Sequence, residues 1–162
     1  MNDADKKKVF SAVAIVTNIE GQLKNIIGRG PNAAKEWGED YKRSTDDEVK
    51  KKLKGDLIPG MNSLVKDAKK VLKDLESLAK ETETKKIAAY ATGKDFRTKA
   101  TKLLSSCKDY DVAASKLLLV LMNSLGNGLY PGMSSVDVQA TVGYLKNFST
   151  YYNSIRIELA KL

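Results

Sequence analysis

The chain has 162 residues, no histidine, one cysteine and a formal charge of +8. Without imidazole no Ser-His or Cys-His nucleophile and no histidine metal site can be assembled, and Cys107 alone permits neither an intramolecular disulfide nor a thiolate cluster. With 42% hydrophobic and 30% charged residues the chain belongs to the globular class and must fold on packing alone.

The first predicted element is a helix over 4–27, where Val9, Ala12, Val13, Val16, Ile19, Leu23, Ile26 and Ile27 recur at steps of three and four. Gly28 and Gly30 then offer C-terminal caps ahead of Pro31. A second, weaker segment sets Ala34, Trp37 and Tyr41 on one face and breaks near Ser44. Thr45-Asp46-Asp47-Glu48 is expected to form a capping box with Thr45 as the cap, which starts a helix at Asp46. From Val49 through Leu53, Leu57, Met61, Leu64, Ala68, Val71, Leu75 and Leu78 the apolar beat runs straight across "GDLIPG". The expected reading is a break, with Gly55 as a cap and Pro59 near the start of a new helix over 59–80; one kinked helix is the alternative.

A helix over 95–125 carries Phe96, Ala100, Leu103, Leu104, Cys107, Val112 and Ala113. It ends in the run Leu117–Met122, apolar all round, which suits a central helix or one end of a pocket. "SLGNGLYPG" over 124–132 is the strongest breaker in the chain. The final helix, 133–161, sets Val138, Val142, Leu145, Phe148, Tyr152, Ile155, Leu159 and Leu162 on one face.

"LIPGMNSLV" and "LYPGMSSVDV" repeat one punctuation, and aligned at Pro59 and Pro131 the halves share a leucine, a glycine, a methionine, a serine and an alanine. This reads as an internal duplication of a unit of about 80 residues, with convergent helix-start grammar as the alternative. The expected architecture is therefore all-α: a single domain over 1–162, a bundle of about five or six helices, with a duplicated three-helix unit over 1–80 and 81–162.

Residues 1–80 hold 17 basic and 13 acidic side chains, so each half contributes +4 and there is no basic tail. "KKKLK" at 50–54 directly follows "DDE", as charge complementing a helix dipole would. Only four arginines occur, none interleaved with aromatics, which makes nucleic acid an unexpected partner. The longest apolar run is far short of the roughly 18 residues a spanning helix needs. The amino terminus, with acids ahead of its lysines, is unlike a secretory leader; the protein is expected to be cytoplasmic, or secreted after removal of a leader.

No glycine motif matches a phosphate-binding loop or a dinucleotide fingerprint, and no cofactor or metal is expected. Cys107, among Leu103, Leu104 and Ala114, reads as a buried inert thiol. Asn147-Phe148-Ser149 matches the glycosylation pattern inside a helix and reads as accidental. A lysine stripe, Lys66, Lys69, Lys70 and Lys73, could meet anionic head groups, although an i,i+4 pair of Lys70 with Asp74 is expected on the same face. Leu117, Leu121, Tyr130, Met133, Tyr144, Phe148 and Tyr151 are candidates to line an apolar cavity.

The expected function is that of a non-enzymatic helical-bundle binding protein, holding an apolar small molecule or lipid between helices and touching an anionic membrane surface. The alternative is a protein-interaction module, such as a secreted effector or adhesion factor, with no cavity.

Overall fold

The computed structural model describes residues 3–83 and 94–126 and helical positions between 142 and 157; all of these except 44–46 are helical. Helix α1 spans Asp3–Arg43 and α2 spans Asp47–Lys52. A π-helical turn occupies Leu53–Leu57, α3 spans Ile58–Glu83, and α4 spans Lys94–Gly126.

Two expected breaks do not occur. Helix α1 runs through Gly28, Gly30 and Pro31 without interruption. A proline inside a helix costs about 3 kcal/mol, but Leu23 and Ile26 before it and Trp37 beyond it are all buried against the same core. Each such side chain contributes about 1.5–3 kcal/mol, so packing on both sides outweighs the local penalty. Gly30 is no cap either. It is buried where α1 meets α3: a β-carbon there would lie 2.4 Å from Val65 Cγ2 and 3.1 Å from Met61 Sδ.

The second break, at Gly55–Pro59, is replaced by the π turn, so one helical path runs from Asp47 to Glu83. Its apolar spacing explains why. Val49, Leu53, Leu57 and Met61 stand four residues apart, and each four-residue step overshoots an α-helical turn by about 40°. Three steps in a straight α-helix would rotate the stripe by about 120°. Yet Leu53, Leu57 and Met61 are all buried, because a turn closed by i→i+5 bonds holds an extra residue and brings the stripe back into line. The Ile58 N–H donates to the Leu53 carbonyl, which is such a bond. Widening the turn ahead of Pro59 also relieves the crowding its ring would meet at the carbonyl of Gly55, four residues back.

The start of this path is fixed by Asp46, not Thr45. Asp46 Oδ1 accepts from the N–H groups of Glu48 at 2.9 Å and Val49 at 3.3 Å, and its own N–H donates to Ser44 Oγ at 3.2 Å. A carboxylate outcompetes the neighbouring hydroxyl here because the helix N-terminus favours negative charge.

From the π turn onward the buried positions Leu57, Met61, Leu64, Ala68, Val71, Leu75 and Leu78 alternate steps of four and three; Ala100, Leu103, Cys107, Tyr110, Ala114, Leu117 and Leu121 of α4 do the same. That is the seam of a coiled-coil-like pair. Gly60 lies against Leu117, Lys70 against Asp109 and Asp74 against Ser106, so α3 and α4 are antiparallel. Helix α1 packs along another side of α3, also antiparallel, and α3 is the central element. Helix α4 is an outer one: Leu119 is 64% exposed and Met122 44%, so Leu117–Met122 is not buried all round. Leu145 and Phe148 of the C-terminal helical positions join the core, with the Phe148 ring 4.2 Å from that of Tyr110.

Candidate functional site: two lysine-bearing surfaces

The first surface is the outer side of α3. Lys66, Lys69, Lys70 and Lys73 are all exposed. They share one side because the opposite positions, Leu64, Ala68, Val71 and Leu75, are committed to the core. The expected Lys70–Asp74 pair is not formed. Asp74 stands beside the α3–α4 seam, next to Leu75, and is only 5% exposed. Its Oδ2 accepts from Ser106 Oγ at 2.5 Å, and its Oδ1 lies 3.5 Å from Lys102 Nζ. Lys102 and Ser106 are one helical turn apart on α4, so both reach the same carboxylate.

Lys70 instead meets Asp109 of α4 at 3.7 Å. Asp67 turns toward α4 and lines a cleft of about 260 Å³ with Ser63, Lys108, Asp109 and Lys116, and Glu76, exposed one turn beyond Lys73, lies within electrostatic reach of Lys24 of α1. With Asp67 and Asp74 withdrawn, Lys66, Lys69 and Lys73 are exposed with no ion pair to a described residue. Like charges three and four residues apart on a helix repel by about 0.2–0.5 kcal/mol per pair, a strain that an external anion relieves.

The second surface, at the corner where α1 turns into α2, was not legible as a site. Tyr41, Asp47, Lys50, Lys51, Lys54 and Gly55 line an open cleft of about 530 Å³. Lys50 Nζ lies 5.6 Å and Lys54 Nζ 5.7 Å from the centre of the Tyr41 ring, within cation–π range. The lysines of this run do not complement a helix C-terminus, because the helical path continues through them to Glu83. A signal for this corner does exist in the sequence. Once 44–46 is read as a tight antiparallel connection, residues a few places out on either side must meet, which brings Tyr41 to Lys50.

Of the seven apolar candidates, Leu117, Leu121 and Phe148 are buried core residues of the seam and its neighbour. Tyr130, Met133, Tyr144 and Tyr151 lie outside the described residues, as do the second Pro-Gly motif and Asn147 and Ser149. Cys107 is fully buried, and burial, followed by the charges of Asp74 and Asp111, pushes its thiol from 9.0 up to about 12. It is therefore protonated at neutral pH and a poor nucleophile. Among the described residues no group of three or more His, Cys, Asp and Glu side chains could hold a metal ion, and no helix is long and apolar enough to cross a membrane.

Comparison with protein-family models, curated proteins and solved structures finds no match in any of the three.

Proposed function

We propose that this chain is a non-enzymatic helical binding protein that docks on an anionic lipid surface through the outer side of α3. The observation that carries this is the exposure of Lys66, Lys69 and Lys73 on one side of α3, with Asp74 withdrawn into the core and Asp67 into the neighbouring cleft. An ammonium held near an anionic membrane contributes about 1 kcal/mol. Lipid is placed on the surface in this proposal, because an apolar guest beside Leu117, Leu121 and Phe148 would have to displace core contacts.

Co-sedimentation with vesicles tests the proposal. Binding should require anionic lipid, weaken steeply between 50 and 300 mM salt as charges are screened, and fall about 100-fold in the triple variant Lys66→Gln/Lys69→Gln/Lys73→Gln. Equal binding to neutral and anionic vesicles would refute it. A protein-interaction module is the second reading, favoured by Val112, Leu119 and Met122 standing exposed on α4.

The proposal includes a single domain built by duplication. Its unit is a helical pair: α1 with the Asp47–Glu83 path in the first half, and α4 with the described helical positions between 142 and 157 in the second. Fusion of two expected segments into α1 supports a helical hairpin over a three-helix unit.

A further inference from the structure

We infer that the cleft between Tyr41 and the π turn is a binding site for a phosphate monoester. The inference rests on the reading of the chain as an anion binder, but it concerns a different place and a narrower ligand class. Lys50 and Lys54 stand four residues apart, and both ammonium groups are drawn to the same ring. Like charges at that spacing repel, and the ring face attracts each cation without neutralising either. Two cations thus stand 5.6 and 5.7 Å from one ring centre, with a third, Lys51, lining the same cleft.

A phosphate monoester suits that arrangement. It carries a charge of about −1.5 to −2 at neutral pH and three strong acceptor oxygens, so it can bridge ammonium groups that a single-charged diester only partly satisfies. The cleft, at about 530 Å³, has room for the group that carries the phosphate as well. Gly55 forms part of the wall, and a β-carbon there would meet nothing within 4 Å, so the approach over the π turn is open. π-helical turns recur at functional sites. Asp47 is the one acid among the lining residues; it stands one helical turn from Lys50 and Lys51 and opposes an anion there.

The cleft is separate from the lysine side of α3, since Lys54 and Lys66 are twelve residues apart, about 18 Å along a helix.

Titration of the full chain with inorganic phosphate, followed by ¹H–¹⁵N spectra at constant ionic strength, tests the inference without any membrane. Saturating shifts are expected at Tyr41 and around residues 47–55. Affinity should be about 10-fold weaker in Lys50→Gln/Lys54→Gln, weaker in Tyr41→Ala, retained in Tyr41→Phe and tighter in Asp47→Asn. All these side chains are half-buried or exposed, and a thermal melt of each variant confirms folding. Shifts reproduced by chloride at the same ionic strength, or an unchanged affinity in Lys50→Gln/Lys54→Gln, would overturn the site.

Vesicles then identify the source of the phosphate. A preference for phosphatidic acid over phosphatidylglycerol at matched charge, abolished in Lys50→Gln/Lys54→Gln, assigns a lipid head group. Saturation by inorganic phosphate with no such preference assigns a soluble phosphate. The triple variant on α3 separates the two proposals: loss of vesicle binding with an unchanged phosphate titration leaves the cleft standing by itself.

Discussion

Replacing Gly30 by alanine should destabilise the protein, whereas the same change at Gly28 or Gly38 in the same helix should stabilise it. Helix propensity alone favours alanine by about 1 kcal/mol at each position. A β-carbon at Gly28 or Gly38 meets nothing within 4 Å, so both sites should gain that amount. At Gly30 the new carbon would sit 2.4 Å from Val65 Cγ2, against about 3.5–4.0 Å for carbon atoms in ordinary contact. Met61, with its sulfur at 3.1 Å, can bend away because its side chain is unbranched. Val65 cannot, since a β-branched side chain in a helix has one strongly preferred rotamer. Overpacking of this kind costs about 1–3 kcal/mol. The upper part of that range, less the propensity gain, leaves a net loss of about 1–2 kcal/mol.

Urea melts followed by circular dichroism at 222 nm measure all three variants. The double variant Gly30→Ala/Val65→Ala completes the cycle. With Cγ2 gone the added carbon has space, so alanine at 30 should be stabilising in the Val65→Ala background, with a coupling of about 2–3 kcal/mol. If Gly30→Ala stabilises as much as Gly28→Ala, or the coupling is zero, the close approach of α1 to α3 at this point is wrong, and so is the account of why the helix carries glycine there.

Removing the Ser106 hydroxyl leaves the buried Asp74 carboxylate with only Lys102 at 3.5 Å; Ser106→Ala should cost about 1.5–3 kcal/mol, seen as a lower urea midpoint, and Asp74→Ala combined with it should recover part of that loss, since no buried charge is then stranded. The Cys107 thiol has a folded-state value raised above its ordinary one, so its contribution is fully present below about pH 9 and is lost as pH rises toward 12. Chemical denaturation between pH 8 and 11 should show wild type losing stability faster than Cys107→Ala, by about 1 kcal/mol per pH unit above 9; parallel pH profiles would contradict that.

Periodicity made much of the bundle readable. The stripes through Leu57–Leu78 and through Leu103, Cys107 and Leu117 are core, as their spacing implies, because burial of a helix face leaves a direct trace in the order of residue types. The punctuation misled. Gly28, Gly30, Pro31, Gly55 and Pro59 are local signals of modest size, and tertiary packing on both sides overrode each of them. Gly30 looks the same in a sequence whether it ends a helix or lets another helix approach; only the partner distinguishes the two. The lysine stripe on α3 was legible because exposure follows from phase, while the pairing of Asp74 depended on which helix would lie alongside. The Tyr41 cleft joins residues from two helices across a turn, and no single-helix periodicity can report that.

The π turn makes the Asp47–Glu83 path one residue longer than its core requires. Counted without one residue between Leu53 and Leu57, the half-buried Val49 and the buried positions from Leu53 to Leu78 would fall at alternating steps of four and three throughout, an unbroken heptad register. A chain shortened by Gly55 could therefore keep every core contact of α3 in an ordinary α-helix, provided Pro59 were also replaced. Val49 and Leu53 would still face the core, so Lys50 and Lys51 would keep their bearing toward Tyr41. What it would lose is the wide turn itself, and with it the wall that Gly55 gives the cleft. The surplus residue is thus a bulge absorbed without rotation, which reshapes the surface of the helix and leaves its facing alone.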